Sequence, residues 1–189
     1  SALDFILPFE KYKITAGAKV SFTNTRNGIN YDTSDPTLVQ DDYFRYKEQI
    51  YALYADYSRE YSERFSMQLG LRMEHTRTTG ISEAKDTEDK HDYTRLFPTV
   101  YLLYSPTDGN ALNFSFSNRI SRPSQNMVNP FPFYQNKYTY ACGREDLKPS
   151  YTYNAELGYT LKNNFNVSAY YSYSDDVFFQ VVDLDAETN

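Results

Sequence analysis

The chain has no tryptophan, one cysteine, two histidines and seven glycines among its 189 residues. With Cys142 alone, an internal disulfide and a thiolate zinc site are both excluded. His75 and His91 stand without a serine or cysteine nucleophile in a recognisable motif, and no His-Glu-x-x-His helix exists. The glycines form no phosphate-cradling loop. Basic residues are fewer than acidic ones, 19 against 25 for a net charge of −6, and they gather into no stripe. Nucleic-acid binding therefore has no support. No stretch approaches the ~18 consecutive apolar residues of a transmembrane helix, which excludes helical spans and nothing else. These absences point away from an enzyme and imply neither cofactor nor metal.

What the chain has is alternation and rings: 20 Tyr and 13 Phe. From Arg64 to Glu74, residues Phe65, Met67, Leu69, Leu71 and Met73 alternate without error with Arg64, Ser66, Gln68, Gly70, Arg72 and Glu74. A strand turns successive side chains to opposite faces, so this segment has one oily and one wet face. The beat recurs over 3–8, 13–26, 111–121, 150–161 and 165–179, with Val20, Phe114, Leu157 and Val167 on oily positions and Lys19 and Glu156 on wet ones. Two segments are mixed. In 43–59, Ile50, Ala52 and Tyr54 compete with Tyr51, Leu53 and Ala55, and 93–105 is similar. Ordinary strands average ~5–6 residues, whereas these runs reach ten or more. Long strands, oily outside and charged inside, are what a barrel in a lipid membrane requires.

The connections carry a second signal. Short turns fall at Glu10-Lys11, near 60–63, at Pro106-Thr107-Asp108-Gly109-Asn110 and at 162–164; long polar stretches cover 27–42, 80–92 and 122–148. Short and long alternate strictly, so in an antiparallel meander every tight turn lies on one rim and every long loop on the other. Outer-membrane barrels have that asymmetry. The fold expected is all-β, an antiparallel up-and-down meander of seven or eight strands forming part of a larger outer-membrane barrel.

Several segments, in order, resemble the barrel of TonB-dependent outer-membrane receptors of the Bacteroidetes type. They are Leu3-Asp4-Phe5-Ile6-Leu7-Pro8 with Ala16-Gly17-Ala18-Lys19, then Gln68-Leu69-Gly70-Leu71-Arg72-Met73-Glu74, then Leu96-Phe97-Pro98-Thr99. Asn118-Arg119-Ile120-Ser121-Arg122-Pro123, Asn129-Pro130-Phe131 and Asp146-Leu147-Lys148-Pro149 follow. One departure is Cys142-Gly143-Arg144-Glu145, where such receptors usually carry a Gly-Asn-Pro-like turn. The resemblance implies a plug ahead of a barrel of 22 strands, so residues 1–189 are expected to be one internal barrel segment without plug or remaining strands. It implies nutrient binding and import in the bacterial outer membrane. The partners implied are outer-membrane lipid, a small nutrient (sugar, peptide or chelate) and a TonB-type energy-coupling complex acting through the plug.

The candidate ligand-binding residues are Arg122, Asn129, Phe131, Phe133, Tyr134, Tyr138 and Tyr140, since aromatic faces beside amides suit stacking and hydrogen bonding to a nutrient. The same rings would equally serve to pack the loop on the rim or to form an interfacial girdle. Arg119 and Lys148 flank the segment, and lumen arginines commonly pair with acids such as Glu156. The acidic groups Asp32, Asp35, Asp41, Asp42 and Glu83, Asp86, Glu88, Asp89 lack calcium-loop spacing and read as solvated loops. Two other readings are a complete small outer-membrane barrel, since eight strands can close, and a soluble β-sandwich binding carbohydrate. Outside lipid, an open sheet is expected either to curl until Leu69, Leu71, Phe114 and Val167 form a core, or to self-associate.

Overall fold

The computed structural model describes residues 1–29, 42–82, 87–129, 132–136, 139–144 and 146–182. Among these residues there are ten strands: β1 Ala2–Pro8, β2 Tyr12–Ile29, β3 Asp42–Ser62, β4 Phe65–Ser82, β5 Thr87–Thr107, β6 Asn110–Ser121, β7 Phe133–Asn136, β8 Thr139–Ala141, β9 Ser150–Leu161 and β10 Phe165–Asp175. Eight of them make one sheet in the order β1-β2-β3-β4-β5-β6-β9-β10, and β7 and β8 make a separate hairpin. The four pairings from β1 through β5 are antiparallel, and so is β5 with β6. The wall is therefore the expected meander. It is a single sheet, which overturns the sandwich reading, and among the described residues β1 and β10 remain its two edges rather than closing on each other.

Two compact units can be described separately. The first, residues 1–119 and 153–173, is the wall; the second, 120–152 and 174–189, holds the connection between β6 and β9.

The register settles the faces. Leu53 stands opposite Met73, and Met73 opposite Leu96, so Val20, Tyr51, Leu53, Leu69, Leu71, Leu96 and Phe114 share one face. Lys19, Ala52, Glu74 and Arg95 are likewise in line on the other. A one-residue slip would invert a strand, and none occurs along these ladders. The mixed pattern of β3 is thereby resolved. Tyr51, Leu53 and Ala55 belong to the oily face, while Ile50, Ala52 and Tyr54 belong to the polar one.

The oily face is the uncovered face. Leu71 is 50% exposed and Val167 53%, whereas Glu74 is 4% and Thr76 0% exposed on the polar side. That corrects the expectation of a curl burying the oily residues: the sheet keeps them outward. A soluble domain buries the opposite face, because leaving apolar surface in water costs roughly 25 cal/mol per Å². The inversion makes sense when hydrocarbon is the solvent.

Aromatic residues bound this oily band at both ends. Near the short turns, Phe9 stacks on Tyr12 at 4.4 Å, Tyr12 lies 5.9 Å from Tyr57, and Tyr61 lies 5.5 Å from Phe65. Toward the long connections, Phe22 meets Tyr51 edge-on at 6.0 Å, and Tyr51 meets His75 at 6.3 Å. From Tyr12 to Phe22, at about 3.3 Å per residue, the strand covers about 33 Å. A tilt of about 40° shortens that to about 25 Å, the height of the apolar band of a membrane barrel.

The strands run past the band. β4 continues to Ser82 and β5 begins at Thr87, so most of the stretch 80–92, expected as a long loop, is ladder. Over 87–92 both faces are polar, so the hydrophobic beat ends there while backbone pairing goes on. The short-turn rim is laced tightly. In the turn from Leu161 to Asn164, closed by Asn164 N–H donating to the Leu161 carbonyl at 3.1 Å, Lys162 and Asn163 both take positive φ, 51° and 57°, as the central residues of a type I′ turn do. Asn163 N–H donates to the Gly109 carbonyl at 2.9 Å and Lys162 N–H to Asn110 Oδ1 at 2.9 Å, tying two adjacent turns together. Ser105 N–H likewise donates to the Arg64 carbonyl at 2.7 Å.

Candidate functional site

The polar face is built by strands that reach across one another. Tyr54 Oη on β3 donates to the Asp4 carboxylate on β1, passing over β2 where Gly17 leaves room; a Cβ there would strike the Tyr54 ring. At Gly70 on β4, a Cβ would fall on Asp56 Oδ1 from β3 and Thr99 Oγ1 from β5. Gly158 on β9 makes the same allowance for the Asn113 amide of β6. Glycine inside a strand costs entropy and side-chain packing, and here it admits a neighbour's polar group. Arg72 pairs with Glu74 two residues along on the same face. Near the edge, Asn154 Oδ1 accepts from Tyr170 Oη at 2.6 Å and from Ser172 Oγ at 2.9 Å.

At the short-turn end this face borders a hollow of about 660 Å³, with Lys13, Ser58, Ser66, Gln68, Tyr101 and Ser115 among its lining. Its lining carries Lys11, Lys13 and Arg59 with several hydroxyls and amides, beside Glu10, Glu60 and a few apolar side chains. The arrangement suits a polar occupant rather than a lipid tail.

The candidate ligand residues all fall in the second unit. Arg122 and Asn129 are half-buried and Tyr140 is 60% exposed on β8. Phe133 and Tyr134 lie on β7, facing Ala141 and Tyr140 across the hairpin. Phe131 and Tyr138 lie outside the described residues. Ahead of the hairpin, one helical turn, Gln125–Val128, buries Val128. Gly143 N–H then donates to the Asn129 carbonyl and Arg144 N–H to the Met127 carbonyl, each at 2.7 Å. Gly143 sits so close to those carbonyls that a Cβ would collide with backbone. Thus the segment Cys142-Gly143-Arg144, which departs from the pattern it resembles, is pinned to the helical turn. Arg144 grips Asp146 through Nε at 3.0 Å and an Nη at 2.6 Å, and those bonds raise its guanidinium above the usual range.

Other sequence candidates resolve simply. Glu88 pairs with Lys90 at 2.8 Å and Asp89 with His91 at 3.0 Å, as solvated side chains do. Asp32, Asp35, Asp41, Glu83 and Asp86 lie outside the described residues, and the side chain of Asp42 is not described. No cluster that could hold a metal ion occurs among the described residues. Arg119 and Glu156 do not pair with each other. The glycine seats at 17, 70 and 158 escaped the sequence reading, although a glycine on the wet beat of a long strand is a usable sign of close approach.

No curated protein matches the chain. A family model described as an outer membrane protein beta-barrel family matches residues 1–189. Its bounds span the whole of the wall just described, with its oily outward face, paired aromatic belts and polar inner face. The chain is a protein of the bacterial outer membrane and belongs to the outer membrane protein beta-barrel family.

Proposed function

We propose that this wall belongs to a TonB-dependent receptor that binds a nutrient at the cell surface and imports it. The observation that carries the reading is the polar face. Glu74, Thr76 and Thr78 are buried there beside Arg72, with the donor-lined hollow below them. Such a lining suits a barrel wide enough to hold a polar filling, as the plug of those receptors is. The ordered segments from Leu3-Asp4-Phe5 to Asp146-Leu147-Lys148-Pro149 support the same reading. The nutrient would be met by the connection between β6 and β9. There Arg122 and Asn129 offer polar contacts and Tyr140, with Phe131, Phe133, Tyr134 and Tyr138, offers rings. Energy would come from an inner-membrane complex acting through the plug. Catalysis has no place in this scheme.

The test is growth of three strains: the parent, one lacking the gene for this chain, and one lacking the inner-membrane coupling protein. Each is given one limiting nutrient at a time, from ferric chelates, oligosaccharides and peptides. The expected result is a shared defect of both deletion strains on the same nutrient. Growth of the gene-deleted strain equal to the parent on every nutrient would overturn the proposal.

A further inference from the structure

We infer that the outward face of β2 and β3, just beyond the upper aromatic belt, binds the phosphate of an outer-leaflet lipid headgroup. On this face above Phe22 and Tyr51 stand Asn24 and Arg26 of β2 and Gln49, Lys47 and Arg45 of β3. Arg26 is directly opposite Arg45, and Asn24 opposite Lys47. Directly opposed residues bring their Cβ atoms to about 5 Å, and Lys47 lies about 7 Å along the strand from Arg45. Arg26 and Lys47, diagonal to each other across the ladder and so about 7–8 Å apart, are therefore both within reach of one phosphate group.

Like charges opposed across a ladder are destabilising, and the neighbouring strands show how this wall ordinarily treats cations. On β4 and β5, Arg77 is paired with Asp92 at 3.0 Å and Lys90 with Glu88 at 2.8 Å. On the outward face of β2 and β3 there is no carboxylate at any position, from Tyr12 to Gly28 or from Tyr43 to Tyr61. Arg26 and Lys47 are exposed and make no ion pair among the described residues. An anion from outside the chain would pair Arg26 and Lys47.

Position selects the source of that anion. The patch lies immediately past the belt on the rim of the long connections, which in membrane barrels is the extracellular side. Headgroup phosphates of the outer leaflet occupy that level. Tyr43, 51% exposed, lays its ring across the space over Gly28 on the same face, offering a flat surface beside the cations for a headgroup sugar. The proposal concerns the lipid-facing surface and is independent of what the barrel carries.

The test uses the full-length protein purified from outer membranes in a nonionic detergent, its folding checked by heat-modifiable electrophoretic mobility. Binding of diphosphoryl lipid A, of its dephosphorylated form and of inorganic phosphate is measured by native mass spectrometry and by titration. Diphosphoryl lipid A should bind, and weaken as salt is raised. The double variant Arg26→Gln/Lys47→Gln should lose about thirtyfold, at about 1 kcal/mol for each basic residue near a lipid surface. Arg26→Lys/Lys47→Arg, which keeps both charges, and Lys11→Gln, at the opposite rim, should bind as the parent does. Equal binding of the dephosphorylated lipid, no loss in the glutamine variant, or displacement of the lipid by millimolar inorganic phosphate would each overturn the inference.

Discussion

At the residue scale the wall depends on a few missing side chains. Gly70 lets Asp56 and Thr99 approach from opposite sides of β4, and nothing larger fits without pushing one of them off its rotamer. Gly70→Val is expected to cost about 1–3 kcal/mol, the usual penalty of overpacking. Urea-titrated folding into lipid vesicles would read the shift, and an unchanged midpoint would show that the seat is not tight. Gly70 was visible in the sequence as a wet-beat residue between Leu69 and Leu71, but its partners were not. Asp56 and Thr99 are far from it in sequence, and only the register brings them together. The candidate ligand residues were legible as a cluster for the opposite reason, since Asn129 to Tyr140 is one short stretch. Which of its rings stand outward and which pack inward is a matter of loop packing, which no periodicity encodes.

At the scale of the strand, the alternation of β4 announced its own faces. The beat failed where physics offered it two solutions. In β3, Ile50, Ala52 and Tyr54 sit on the polar face, because a lumen wall tolerates apolar residues while the lipid face does not tolerate charge. Residues 87–92 look like loop in the sequence, because Glu88, Asp89, Lys90, His91 and Asp92 are polar on both faces above the membrane. The asymmetry between faces gives a prediction. Leu71, midway between the belts on β4, should lose about 2–4 kcal/mol as Leu71→Arg, the cost of a cation at mid-membrane depth. Gln68→Arg, on the polar face of the same strand, should change stability by less than about 1 kcal/mol. Folding titrations of the two variants in the same lipid would decide it, and equal losses would contradict the assignment of faces.

At the scale of the whole molecule, the rims and edges make the predictions. Cys142 is exposed and lies on a connection of the long-loop rim. A membrane-impermeant maleimide added to intact cells should therefore label it. With Cys142 replaced by Ser, a cysteine at Asp108 in a short turn should be labelled only after the cells are opened. The reverse pattern would mean the wall is inserted the other way up. The edges make a second demand. Backbone N–H and C=O groups of β1 and β10 that face outward have no water to bond in hydrocarbon, where each unmet group costs several kcal/mol. The 189-residue chain refolded alone in detergent should therefore self-associate through these edges. Light scattering would measure the association, and a monomeric parent chain would refute edge pairing.

The long unbroken ladders also set how the wall carries load. Between Tyr12–Arg59 and Ile29–Asp42, β2 and β3 are joined at every residue, and β4 and β5 are joined over a similar length. A force along the barrel axis meets strands tilted by about 40°, so its larger component runs along them and shears many hydrogen bonds at once instead of peeling them one by one. Such a wall behaves as a stiff sleeve under axial tension. An object drawn through or out of it toward the short-turn rim would deform or yield before the sleeve did.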